Sequence, residues 1–222
     1  MKKRKRILSG ILAGIMAVAL LAGMPMGKDG AVNAARRNLK NPSRDSDGVV
    51  TWDCVYFGSY PQSDATGETK EPIKWRVLSV NGNDAFLVAD RNLDVRWYND
   101  DARHVTWENC TMRSWLNGYG SDSNKSKIDY SDNNFISRAF TSSEQEAILS
   151  TTVQTADNST EGTVGGNDTT DNIFLLSYDE VVNPEYGFSS SDWPDEARQR
   201  RETAYVAEGG DNWFTYIRGR WL

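Results

Sequence analysis

Two adjacent carboxylate pairs, Asp100-Asp101 and Asp179-Glu180, are the residues of this 222-residue chain best suited to acid–base work. Paired carboxylates hydrolyse glycosides only when a cleft holds them at a set separation, and adjacency in sequence does not supply that. Asp179 and Glu180 have a sufficient structural role at a helix start, where negative charge meets the positive end of the helix dipole. Asp100, Asp101 and Asp171 are therefore the groups through which a carboxylate-dependent hydrolase would act. The lone histidine, His104, lacks a recognisable Ser or Cys partner, and neither a Gly-x-Ser-x-Gly elbow nor a phosphate-cradling glycine loop is present. Between Arg103 and Val105, His104 reads as a solvated loop residue.

Binding chemistry has more material. Eight tryptophans offer flat rings with a polar N–H, suited to stacking on sugars or apolar ligands. Most are expected in the core, Trp75 within a strand pattern and Trp115 on an apolar helix face. Trp97-Tyr98, set between Arg96 and Asn99-Asp100-Asp101 in a polar stretch, is the expected exposed pair. With Asp100 and Asp101 it forms the candidate ligand-binding loop. Residues 157 to 168 compare with a calcium loop, having oxygen-bearing residues at positions one, three, five and twelve and Gly162 at six. The twelfth position is Asp168, shorter than the usual glutamate, and a strand-like run follows where a helix is required. A turn segment is the simpler reading, and any calcium would bind in another geometry through Asp157, Asp168 or Asp171. A Cys/His zinc site lacks ligands, and no other cofactor is indicated.

The N-terminal residues address location. Lys2 to Arg6 are all basic, and a mostly apolar run follows from Ile7 to Gly23, the n-region and h-region of a secretory signal. Val32-Asn33-Ala34 places the expected cut after Ala34. The alternative is a retained anchor, although seventeen residues lie at the short limit for spanning a bilayer. A lipoprotein signal is excluded because Met24 follows Leu21-Ala22-Gly23 where a cysteine would be needed. Removing residues 1–34 leaves 19 basic against 30 acidic residues, a formal charge of −11 on 188 residues. That acidity opposes binding to nucleic acid and to anionic lipid, so the expected partner is an extracellular ligand, glycan or protein. Export also makes a Cys54–Cys110 disulfide the leading expectation, with two buried free thiols as the alternative.

The elements that must position these groups follow from pattern. Residues 35–48 are polar and turn-rich and read as a flexible leader before a single domain over 49–222. Val49 to Tyr60, Ile73 to Val80 and Ala85 to Ala89 read as strands, the last two joined by an Asn81-Gly82 hairpin. Thr106 is placed to cap a helix through Leu116, closed by Gly118. Thr141 with Glu144 forms a capping box before Ala147, and Ser177 with Glu180 forms another after the buried-strand run Ile173 to Leu176. Pro184 limits that last helix to a turn or two. Hairpins mixed with separated helices and long loops predict an α+β fold.

An ordered string of motifs carries a resemblance: Tyr56-Phe57-Gly58-Ser59-Tyr60-Pro61-Gln62, then Ile73 to Leu78, Thr106-Trp107-Glu108 and Met112-Arg113-Ser114-Trp115-Leu116-Asn117. Ala139-Phe140-Thr141 and Gly166-Asn167-Asp168-Thr169-Thr170-Asp171 continue it into Ile173 to Ser177. Together they resemble an uncharacterised family of exported bacterial domains, remotely similar to the C-type-lectin-like fold of formylglycine-generating enzymes. The resemblance implies a closing tryptophan-rich strand, matched by Asn212 to Arg218, with further strands beyond it. The sequence stops at Leu222, so a truncated or divergent C-terminal end is expected. The reactive cysteine pair of those enzymes lies late in the domain, whereas both cysteines here lie early. The reading that follows is a secreted or surface-held non-catalytic binding module. Its alternatives are the hydrolase above and a truncated fragment without function.

Overall fold

The computed structural model describes residues 16–21, 39–158, 162–191 and 195–209; for 16–21 it describes the backbone path alone. The expected cut after Ala34 and the tryptophan-rich segment 212–218 lie outside the described residues. The fold is α+β, as expected: one five-stranded sheet, three two-stranded ladders and short helices packed around a common core.

In chain order the strands are β1 (Met16–Leu21), β2 (Ser43–Arg44), β3 (Val50–Thr51), β4 (Cys54–Tyr60), β5 (Glu71–Asn81), β6 (Asp84–Ala89), β7 (Arg91–Asn92), β8 (Thr151–Val153), β9 (Thr169–Asp171), β10 (Ile173–Leu175) and β11 (Arg201–Glu202). The helices are α1 (Thr111–Asn117), α2 (Phe135–Ala139), α3 (Ser142–Gln145), α4 (Tyr178–Val181) and α5 (Ala204–Gly209). The large sheet has the order β10-β1-β6-β5-β4, and every neighbouring pair in it is antiparallel.

β5 forms because its residues alternate between two environments. Ile73, Trp75 and Val77 are fully buried, while Lys74 and Arg76 face the other way. By the same alternation Leu78 faces the opposite side of the sheet, where it joins a second, smaller cluster with Val88 and Phe188, and the register shifts between Val77 and Ser79. Gly82 takes φ 60° in the hairpin, a value that disfavours a side chain, and Asn81 pairs with Asp84 across it. On the main face, Trp75 donates its Nε1–H to the Phe57 carbonyl at 2.8 Å, which satisfies the one polar atom of a buried ring.

Several helix boundaries lie where the sequence places them. Gly118 ends α1 in the left-handed region at φ 72°, and Thr141–Glu144 and Ser177–Glu180 are both reciprocal capping boxes. The single helix expected from Thr106 to Leu116 is instead two pieces. A 3-10 turn, Trp107–Asn109, follows Thr106, whose N–H donates to Asn109 Oδ1, and Cys110 then returns to extended backbone and caps α1 by accepting the Arg113 N–H on its Sγ. Residues 39–48 also differ from a flexible leader. β2 pairs with β3, Asn41 Oδ1 accepts the Val80 N–H at 2.7 Å, and Asp45 folds a turn by accepting two backbone N–H groups. No helix among the described residues is long and apolar enough to cross a membrane.

Candidate anion-binding cleft

The loop expected to bind ligand divides by residue. Trp97 is exposed, at 46% of its surface, as expected. Tyr98 turns inward: it packs against the core, is hydrogen-bonded to Cys110, and has its phenol pushed well above the usual range by burial and by that neighbour. Asp100 accepts the Tyr130 hydroxyl, and its own N–H donates to Thr111 Oγ1 at 2.9 Å. Asp101 pairs with Arg103 at 2.9 Å and accepts from Asn99 and Ser126. Tyr98 O and Asn99 Oδ1 meanwhile accept the first N–H groups of α1, from Met112 and Thr111. Residues 98–101 are therefore scaffolding for a helix start, where orphan donors need partners. A propensity reading marks such a polar stretch as a free loop.

Asp171 has a similar fate. Fully buried, it accepts Arg113 Nε at 2.8 Å, Trp107 Nε1 at 2.9 Å, Thr169 Oγ1 at 2.6 Å and Tyr119 OH at 3.0 Å. A carboxylate so supplied with donors is a structural hub linking α1 to β9. Asp157 accepts the Gly165 N–H and Asp168 the Thr155 N–H, tying the two sides of the 155–168 loop together. Among the described residues no group of three or more His, Cys, Asp or Glu is placed to hold a metal ion. His104 is exposed, as expected.

The expected Cys54–Cys110 bridge is corrected by the structure: both are free thiols. Cys110 is buried, accepting the Arg113 N–H at 3.4 Å and contacting the Trp107 carbonyl at 3.4 Å, whereas Cys54 contacts its neighbour's carbonyl at Trp52. Each sulfur is instead held by nearby backbone. Burial pushes the Cys110 thiol up to about 12 and raises that of Cys54.

A cleft that the sequence reading did not find lies beyond the end of β6. Arg76, Asp90, Arg91, Glu196, Gln199, Arg200 and Arg201 line a space of about 540 Å³. β5 supplies Arg76 on the face opposite Trp75; β7 supplies Arg91; β11, which pairs with β7 in parallel, supplies Arg201. Arg76 is fixed by Asp90 at 2.5 Å, and its guanidinium lies 5.0 Å over the Trp52 ring. Asp90 also meets Lys74 at 3.6 Å; although burial raises its pKa, the Arg76 hydrogen bond and charge outweigh that and hold it below the usual range.

Arg200 is the least compensated of these groups. Its Nε donates to Ala89 O at 3.0 Å and its Nη1 to Ala197 O at 2.6 Å, so the guanidinium is held by backbone carbonyls. Its Nη2 is buried without a hydrogen-bond partner among the described residues. Burial and the nearby Arg76 charge pull its proton affinity down to about 9. A guanidinium nevertheless stays charged at neutral pH, and the nearby charges of Asp90 and Asp195 favour it without hydrogen-bonding it, so the fold carries a buried cation with one donor unpartnered. Four arginines face two carboxylates here, one already engaged by Arg76, in a chain of net charge −6. An oxyanion of a carboxylate, sulfate or phosphate supplies what this arrangement lacks. The signal was present in Arg198, Arg200 and Arg201 within four residues. Arg198 is a different case, buried and donating to the carbonyls of Val181, Ser189 and Ser191.

No curated protein and no solved structure matches this chain. A family model matches it over residues 82–216, a span that includes Asp90, Arg91, Arg200 and Arg201 of the cleft as well as α1 and the Asp171 hub. The chain belongs to the family described as Domain of unknown function (DUF6273).

Proposed function

We propose that the protein is an exported, non-catalytic binding module that takes an acidic glycan, carrying carboxylate or sulfate groups, in the cleft formed by Arg76, Arg91, Arg200 and Arg201. The observation that carries this reading is Arg200, a buried cation with an unpartnered Nη2 beside a second arginine. Planar guanidinium forks suit bidentate capture of carboxylate and sulfate. The net charge of −6 disfavours indiscriminate binding of polyanions. The basic start and apolar run of residues 2–23 support export. The remote similarity of the resembled family to the C-type-lectin-like fold agrees with a sugar ligand.

Titration with oligouronates and sulfated oligosaccharides against neutral oligosaccharides of the same length tests the reading. Saturable binding of the acidic series, weakened about 10- to 100-fold by Arg200→Gln through loss of a charge-assisted contact, is expected. Equal binding of the neutral series, or turnover of either, contradicts it.

A further inference from the structure

The arginine cleft continues along the large sheet toward its β4 edge. On the face opposite Trp75, β5 carries Lys74 and Arg76, and the β4 residues directly across from them are Tyr56 and Cys54. Asp90 extends the row on the other side: Trp75 pairs with Ala89, and the Asp90 N–H then donates to the Lys74 carbonyl at 3.0 Å. Tyr56, Lys74 and Asp90 therefore form one cross-strand row, and Asp90 is already a wall of the cleft. Tyr56 stands two strand spacings from Asp90, about 10 Å. Lys74 fills the interval.

Both residues between the cleft and the edge have unused binding capacity. Among the described residues the exposed large hydrophobic side chains are Val49, Tyr56, Trp97 and Val164, and Tyr56 alone belongs to the large sheet. Its neighbours in β4, Val55 and Phe57, are buried, so alternation turns this ring outward, at 58% exposure. Strand propensity favours tyrosine there, but threonine or valine meets that need without presenting a flat ring. Lys74, 42% exposed at its side chain, meets Asp90 at 3.6 Å. That separation exceeds hydrogen-bond length, so among the described residues the ammonium keeps its donors for a ligand.

We infer that Tyr56 and Lys74 form a second subsite, which takes a further sugar unit of an acidic oligosaccharide whose anionic group lies in the arginine cleft. This rests on the acidic-glycan reading of that cleft. The C–H face of a pyranose ring suits stacking on the tyrosine ring. Lys74, beside it in the row, donates to the hydroxyl oxygens of the same unit or to its acid group. A single acidic sugar reaches the arginines alone, whereas a chain reaches both places at once, the second contact being made within the complex already formed. The protein thereby selects oligomers over monomers, and Tyr56 is the residue that makes the difference.

Calorimetric titration with tetragalacturonate and with galacturonate tests this on the full chain and on its Tyr56→Thr, Tyr56→Phe and Arg200→Gln variants. Tyr56→Thr removes the ring and keeps a β-branched residue. It is expected to weaken tetragalacturonate about 3- to 10-fold, the range for an aromatic contact, and to leave galacturonate unchanged. Unchanged galacturonate binding also reports that the variant is folded with its cleft intact. Tyr56→Phe is expected to stay within about twofold of wild type for both ligands, because the ring is kept. The subsite is overturned if Tyr56→Thr weakens both ligands equally, if it leaves the tetramer unaffected, or if Tyr56→Phe loses as much as Tyr56→Thr. Arg200→Gln separates the two readings. It weakens both ligands if the cleft takes the acid group, and its failure to weaken either overturns the cleft reading together with the subsite built on it.

Discussion

Arg76 and Arg200 donate to the same carbonyl oxygen, that of Ala197, at 3.3 and 2.6 Å. One acceptor thus draws two cations together, and Asp90, bonded to Arg76, is the nearest compensation. Where like charges are held together by backbone, an anion in the cleft gains attraction from both.

The first consequence concerns Asp90. Its carboxyl is held below the usual range by Arg76, so the carboxylate's contribution to stability is present above the unfolded value near 3.9 and is lost as pH falls through the lower folded value. Asp90→Asn is expected to cost about 1 to 3 kcal/mol at pH 7, the range for a lost bond to a charged group. Urea unfolding between pH 3 and pH 7 should show the difference from wild type shrinking below pH 4. A constant difference across that range would mean that the ionised carboxylate has no part in stability.

Thiol chemistry supplies the second. With Cys110 buried and its thiol raised to about 12, and with no bond to Cys54, the unreduced unfolded protein should show two reactive thiols on titration. In the folded protein Cys110 should resist alkylation at pH 8, where an ordinary thiol is substantially ionised. Detection of no thiol without reductant would restore the disulfide.

Tryptophan substitutions separate packing from surface. Trp115, 4% exposed and lying under the Arg96 guanidinium at 4.7 Å, should cost about 3 to 5 kcal/mol when changed to Ala. Trp97→Ala should change stability by about 0.5 kcal/mol or less, as surface changes do. Thermal unfolding of the two variants distinguishes them, and an inverted order would place the aromatic loop in the core.

How much was legible depended on whether the cause was local. The alternation around Trp75, the Asn81-Gly82 hairpin, Gly118 and the two capping boxes rest on contacts within a few residues, and pattern revealed them. The break at Cys110 did not show, because an extended residue between two helical turns is stabilised by Tyr98 and Asn99 reaching over from the preceding loop. The same long-range demand consumed Asp100, Asp101 and Asp171, whose side chains looked available only while their partners at Tyr130, Ser126 and Arg113 were unknown. The cleft was least legible of all. It joins Arg76 on β5 to Arg200 near the other end of the domain, and no spacing rule connects them.

The most direct measurement is the melting temperature of the protein with and without a sulfated or uronate oligosaccharide at about 100 times its dissociation constant. Ligand binding to the folded state alone contributes about 2.7 kcal/mol at that ratio, which corresponds to an increase of roughly 5 to 10 °C for a domain of this size. The shift should diminish as salt screens the charges and should be largely lost in Arg200→Gln with Arg201→Gln. An equal shift from a neutral oligosaccharide, or an undiminished shift in the double variant, would contradict an anion-binding role for the cleft.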